Sequence, residues 1–338
     1  MKIGVDMLGG DNAPFATLEG CAEAVKEYGI GILAFGDRKT LEKTAAERGI
    51  SLENIEICDS DGEIPMDAEP NEILKQYSGS SMAQLLKAVA EGKCDAAVSA
   101  GSTGALLVGA TFLVKRIKGI KRAALAPVIP TLSGEYLLID SGANAECRPE
   151  MLQQFGVMGS IYMEKVEKID SPRVGLINVG TEECKGGTLQ KEAYTLLKDS
   201  KLNFCGNVEA RDIPNGVCDV AVADGFTGNI VLKMTEGVAI GLMKEIKGIM
   251  YSSVLTKLAA LTMKKKLHGL KNKMDYSEHG GAPLLGITKP VIKAHGSSDG
   301  RAIKNAIRQA VIFTESGAID IISSTVKEIK TEKEDSND

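Results

Sequence analysis

The sequence predicts an α/β protein in which a large, mainly parallel sheet is covered on both faces by helices, a three-layer α/β/α arrangement. Three observations lead there. Strand-like apolar runs alternate with helical patterns almost throughout the 338 residues, as expected of parallel strands joined by helical crossovers. Polar, glycine-bearing loops follow five separate strands. One local construction is made twice: Cys94-Asp95-Ala96-Ala97-Val98-Ser99-Ala100-Gly101-Ser102-Thr103-Gly104-Ala105 and Cys218-Asp219-Val220-Ala221-Val222-Ala223-Asp224-Gly225-Phe226-Thr227-Gly228-Asn229. Each copy reads as a short strand, a Gly-x-Thr-Gly turn and an apolar helical run.

The elements follow in order. Lys2 to Asp6 is a strand running into Gly9-Gly10-Asp11. Helical periodicity covers Thr17 to Tyr28, with Gly29 as its stop, and Ile30 to Phe35 is a second strand. Ser81 and Gln84 form a capping box for a helix to Glu91, ended by Gly92. A strand at Ala96, a helix over Leu106 to Lys115, and strands at Leu125 to Ile129 and Tyr136 to Asp140 come next. Pro149 opens a helix reaching Val166. Val174 to Val179 is a strand, Leu189 to Leu197 a helix, and Val217 to Ala223 the strand of the second repeat. A long helix starts at Gly228 and the last clear one near Gly300. Residues 1–330 read as one two-lobed unit. The tail 331–338 is too polar to pack and reads as disordered.

Composition bounds the function. Hydrophobic residues are 43% and charged residues 25%, enough for a sizeable core. A net charge of −5 argues against nucleic acid as a partner, which needs a basic face. The seven cysteines are odd in number and lack Cys-x-x-Cys spacing, which predicts a reducing compartment and no zinc site. The N-terminus enters a strand without a signal-peptide core, and no apolar run spans a bilayer. The expected location is cytoplasmic.

Ligands of open α/β sheets bind at the carboxyl ends of strands, so the loops carry the candidates. These are Asp6, Gly9, Gly10 and Asp11; Gly101, Ser102, Thr103 and Gly104; Asn144; Lys185 in Thr181-Glu182-Glu183-Cys184-Lys185-Gly186-Gly187; and Asp224, Gly225, Thr227, Gly228 and Asn229. A Gly-x-Thr-Gly turn at a helix N-terminus offers amides, a hydroxyl and the helix dipole to an anion. Either turn alone is equally well a plain tight turn; the repetition favours phosphate. Lys233, one helical turn past Asn229, adds a positive charge or is simply solvated. His295 is a candidate acid–base group or a structural histidine. Gly29-Ile30-Gly31-Ile32-Leu33-Ala34 imitates a dinucleotide fingerprint but precedes its strand. No Walker A motif, nucleophile elbow or metal-ligand cluster is present, and no metal or other cofactor is expected.

From Lys244 to Lys273 the chain has eight lysines and one acid, Glu245. Val254, Leu255, Leu258 and Leu261 lie on one side of a helical pattern there. A basic amphipathic helix of this kind, over about 244–274, rests on an anionic membrane surface or is a subunit-interface or core helix with solvated lysines.

Taken together, the ordered motifs from Asp6 to about Gly317 resemble the bacterial acyl-acyl-carrier-protein:phosphate acyltransferases (PlsX). They are Asp6-Met7-Leu8-Gly9-Gly10-Asp11, Ser99 to Ala105, Asp140-Ser141-Gly142-Ala143-Asn144, Asn178-Val179-Gly180-Thr181-Glu182-Glu183, Lys185-Gly186, Gly206-Asn207-Val208-Glu209, Asp224 to Asn229, Gly281-Ala282-Pro283-Leu284-Leu285-Gly286 and His295-Gly296. The chain departs from the usual pattern at Met7-Leu8, where the family has Ala-Met, and at Ser102, where it has Asn.

The resemblance implies a fold like that of isocitrate and isopropylmalate dehydrogenases and phosphotransacetylases, a homodimer, and a role in phospholipid synthesis close to the membrane. An acyl group would arrive on acyl-carrier protein and leave as acyl phosphate for a membrane glycerol-3-phosphate acyltransferase. Phosphate would attack the thioester, with the two turns and Lys233 or Lys185 holding it, and Asn229 or backbone amides holding the oxyanion. A thiol leaves without strong acid help, which lowers the need for His295. Cys147 is a conceivable nucleophile instead. The rival readings are a dehydrogenase of the same fold and a non-catalytic, membrane-associated sensor of acyl carriers.

Overall fold

A computed structural model describes residues 1–131, 134–253, 256, 257, 260, 262 and 280–335. Val254, Leu255, Leu258 and Leu261 lie outside the described residues. Seven strands form one sheet: β1 (Lys2–Asp6), β2 (Gly31–Gly36), β3 (Ile55–Asp59), β4 (Ala96–Ser99), β5 (Ala124–Leu125), β11 (Ala282–Leu285) and β12 (Val291–Lys293), in the order β3-β2-β1-β4-β12-β11-β5. Five form the second: β6 (Val128–Pro130), β7 (Glu135–Ile139), β8 (Val174–Ile177), β9 (Phe204–Val208) and β10 (Val220–Val222), ordered β6-β7-β10-β8-β9. Pairing is parallel except where β11 meets β12 and β5, and where β6 meets β7. The mainly parallel α/β/α class is as the sequence predicts.

The period-two alternation of each strand distributes its side chains between two helical layers. Ile3 and Val5 of β1 join a core with Leu18 and Cys21 of α1 (Phe15–Tyr28) and Ile303 and Ile307 of α8 (Gly300–Glu315). Leu33 and Phe35 of β2 face the other way, onto Leu85, Leu86 and Val89 of α3 (Ser81–Ala90). The second sheet packs one face on α5 (Pro149–Lys165). Its other face receives Val231 and Leu232 of α7 (Gly225–Met250). The sheets meet where Leu138 N donates to Pro127 O and Ser141 N to Leu125 O, both at 3.0 Å.

Five local expectations change. The strand expected from Leu125 to Ile129 is two, β5 in the first sheet and β6 in the second. The N-cap of α3 is Ser80, whose Oγ accepts from Ala83 N; Ser81 lies inside the helix and turns its hydroxyl to Asp6, while Gln84 donates to Ser78 O. The helix expected over 106–115 is α4 (Thr103–Gly109) followed by a π-helical segment, Ala110–Lys115. The long helix starts at Gly225, because the Asp224 carboxylate caps it through Thr227 N. The tail is helical as far as Asp335, as the last turns of α9 (Ala318–Asp335). Its Lys and Glu residues are good helix formers and extend a helix already nucleated by apolar turns.

Glu167, after α5, hydrogen-bonds Glu135 at the start of β7, with Arg308 and Tyr162 beside them. Burial and the neighbouring carboxylate push the Glu167 pKa up; Arg308 opposes this. A raised acid pKa makes the folded state bind more protons than the unfolded one. The associated stability is fully present below the ordinary carboxyl range and is lost as pH rises through the raised value. Glu167→Gln is therefore expected to flatten the fall in melting temperature toward neutral pH, measured by calorimetry between pH 5 and 8.

Candidate active site

The first loop cluster grows from Asp6, buried at the end of β1. Its carboxylate accepts from Leu8 N (3.3 Å), Gly9 N (3.2 Å), Ser81 Oγ (2.6 Å) and Ser99 Oγ (2.7 Å). One side chain thus ties together the loop after β1, the start of α3 and the end of β4, and hydrogen bonds to an ionised acceptor are the strong ones. Gly9 fits only as glycine: a Cβ there would stand 2.5 Å from Asp6 Oδ2 and 2.6 Å from Gly101 N. Asp11 N donates to Gly296 O at 2.8 Å, and Asn12 Nδ2 reaches Ser297 O and Ser298 O. The loops after β1, β4 and β12 therefore form one surface at the carboxyl ends of three neighbouring strands.

Lys293, the last residue of β12, donates its ammonium to Ala100 O at 3.2 Å and to Ala294 O. Burial pulls its pKa down to about 8; the Asp6 and Asp11 carboxylates oppose this and Lys233 reinforces it. Partial burial also lowers the His295 pKa, with Glu236 opposing and Lys233 and Lys293 adding to the effect. His295 Nδ1 is 2.8 Å from Ser297 Oγ and accepts from Ser297 N at 3.2 Å. Lys233 lies 2.8 Å from the Glu236 carboxylate. Three cationic or cationisable groups, Lys233, Lys293 and His295, therefore share one electrostatic neighbourhood with Asp11 and Glu236. Sequence reasoning missed Lys293 and Glu236. The available signal was a lysine closing an apolar strand, two residues before His295.

The two turns differ in what they leave open. In the first, Ser102 Oγ is a neutral cap accepting from Ala105 N at 3.5 Å; the Thr103 and Gly104 amides have no acceptor among the described residues. In the second, the Asp224 carboxylate takes both Thr227 N (2.8 Å) and Thr227 Oγ1 (2.9 Å), and Gly225 N donates to Asn144 O. A negative charge already fills that helix end, as the dipole favours. The departure at Ser102 leaves a working cap, and Met7 is a fully buried core residue.

A second buried carboxylate, Asp140, organises the loop after β7. It accepts from Leu125 N, Ala143 N, Asn144 N and Asn144 Nδ2 at 2.6–3.1 Å. Burial raises its pKa, and those donors counter the rise. Asn229 lies against Gly142 in this loop. Cys147 Sγ donates to Asn144 O, and burial with the nearby Asp140 pushes its thiol up to about 11. At neutral pH it is a thiol, not the thiolate a nucleophile needs. Lys185 stays in its own loop, 3.9 Å from Glu182, with its carbonyl accepting from Asn178. No described contact brings it to the Lys293 cluster. The described residues contain no group of three His, Cys, Asp or Glu side chains placed to hold a metal, and no helix long and apolar enough to cross a membrane.

Comparison with known proteins assigns this arrangement to an enzyme class, the acyltransferases. The family model described as "Fatty acid synthesis protein" matches residues 1–320. A phosphate acyltransferase of Alkaliphilus oremlandii is 49% identical over 329 residues, covering 97% of this chain and 98% of its own. The chain belongs to the phosphate acyltransferase family. In fold it is similar to a phosphotransacetylase from Streptococcus pyogenes, with a TM-score of 0.63 at 16% identity over 95% of this chain and 94% of the other. A branched-chain phosphotransacylase from Enterococcus faecalis follows, with a TM-score of 0.57 at 13% identity over 94% and 99% of the two chains.

Proposed function

We propose that this enzyme transfers a fatty acyl group from acyl-acyl-carrier protein to inorganic phosphate. The observation that carries the reading is the convergence of Lys233, Lys293 and His295 on loops adjoining the open amides of Thr103 and Gly104. Cations and unfilled helix N-terminal amides together suit a phosphate dianion. The relatives' name and the fatty-acid family description support the acyl donor and acceptor.

Phosphate is already nucleophilic, so the protein's task is to strip its water, orient it and hold it against the carbonyl carbon. A phosphate oxygen forms the new C–O bond; the tetrahedral oxyanion then collapses, the C–S bond breaks, and the thiolate takes its proton from water. A well-placed amide on the oxyanion contributes roughly 3 kcal/mol. In this reading Asn229, in the second turn of α7 and against Gly142, takes that role. A leaving thiol of pKa roughly 8.5 needs little acid help. The acyl phosphate would supply a membrane glycerol-3-phosphate acyltransferase in phospholipid synthesis, with the lysine-rich segment from Lys244 to Lys273 resting on the membrane from the cytoplasmic side.

A homodimer fits the long helix. Of α7 only Gly225 and Gly228 are buried, whereas Phe226, Ile230, Met234, Val238, Leu242 and Ile249 are exposed. An apolar surface of this extent suits a protein contact. The enzymatic reading is tested by release of carrier thiol from an acylated carrier, with and without phosphate. Thiol release should require phosphate and yield acyl phosphate in equal amount; release that ignores phosphate rules the reading out.

A further inference from the structure

The stretch Lys115-Arg116-Ile117-Lys118-Gly119-Ile120-Lys121-Arg122 holds five cations and no acid, in a chain whose net charge is −5. All five are exposed, and none has an acidic partner within ion-pair distance among the described residues. The segment is nonetheless firmly held. Ile117 and Ile120 are buried beneath it. Ile117 N donates to Gly286 O, Thr288 N to Lys115 O, and Lys121 N to Gln154 Oε1, with Gln154 Nε2 returning to Gly119 O. Phe112, also exposed, lies on the π-helical segment leading into it. The patch adjoins the site by a short relay: Ala123 O, next to Arg122, accepts from Asn144 Nδ2, and Asn144 O accepts from Gly225 N at the start of α7.

We infer that this basic segment is the docking surface for an acidic protein helix, and that the carrier of the acyl thioester is the partner bearing it. The second half of the inference rests on the function proposed above. Unpaired cations on a rigid backbone attract an acidic surface at long range and set its orientation. An aromatic beside arginines is the common make-up of a protein hot spot. A membrane is the less suitable occupant: its helices need an apolar face to insert, and here both isoleucines point into the core. Docking beside Asn144 puts the partner next to the loops that hold the reacting groups.

The test uses the full chain and the double variant Lys118→Glu/Lys121→Glu. Both side chains are exposed and make no hydrogen bond or ion pair among the described residues, so folding is kept, as circular dichroism will verify. Binding of a fluorescently labelled acyl carrier protein is followed by anisotropy. Turnover is measured with octanoyl-carrier protein and with octanoyl-pantetheine, which lacks the protein. The expected result is carrier affinity weakened about tenfold or more, KM for octanoyl-carrier protein raised to match, and octanoyl-pantetheine turnover unchanged. In the wild type, carrier binding should weaken as salt is raised, a dependence the variant largely loses. Unchanged carrier binding in the variant overturns the inference, as does wild type that fails to bind carrier. So does a variant that loses binding to phosphatidylglycerol vesicles while keeping the carrier. Carrier binding through the patch without phosphate-dependent thiol release would leave the docking surface standing and remove the proposed activity.

Discussion

Replacing Lys293 by Met is expected to reduce phosphate-dependent turnover by about 100-fold, with most of the loss in KM for phosphate. Methionine keeps the length and apolar packing of the lysine stem but not its ammonium. The lost group is a charged donor in a largely desolvated position, and such donors contribute about 1.5–3 kcal/mol each. Because burial brings the Lys293 pKa down to about 8, the group is cationic below that pH and neutral above it. Wild-type kcat/KM for phosphate should therefore fall as pH rises past about 8, and this limb should be missing from the Met variant. Initial rates at varied phosphate across pH 6 to 9.5 decide the matter. A Met variant with wild-type KM and the same alkaline limb would remove Lys293 from the phosphate site.

Gly228→Ala should do more damage to the fold than any exposed substitution in the loops. A Cβ at this position would come within 1.9 Å of Asp140 O and 3.0 Å of Asp140 C. Both atoms are backbone, in a loop whose Asp140 carboxylate is fastened by four hydrogen bonds. Neither partner can yield without moving α7 away from the second sheet. Overpacking of this kind costs typically 1–3 kcal/mol, and more where the neighbour is rigid. A melting temperature lowered by several degrees, with turnover lost in proportion to the displacement of Lys233, is the expected outcome. An alanine variant with wild-type melting and rates would show that α7 does not sit on Asp140 in solution.

Much of the architecture was legible locally. β1, β4 and β10 are short apolar runs, almost wholly buried, and the ends of α1 and α3 are marked by glycines. The repeated strand–turn–helix was plain in the sequence, and both copies open helices in the fold. What the repeat could not reveal is that Asp224 fills the second helix end with its own carboxylate while Ser102 leaves the first uncharged. The antiparallel strands β5, β6 and β11 have two to four residues each, too short for periodicity to separate β5 from β6 or to register β11. Ser81 shows the usual one-residue uncertainty of a helix start: shifted one position inward, the same serine is a ligand of Asp6. Lys293 was hidden for a different reason. Its partner Ala100 is 193 residues away, and the two meet only because β12 enters the sheet beside β4.

The free donors at the start of α4 belong to the main chain. A cradle of that kind is indifferent to which side chains decorate it, so long as the peptide planes keep their angles. Drift at residues 7, 8 and 102 therefore leaves the seat proposed for the anion intact, and selection there would act on conformation before chemistry.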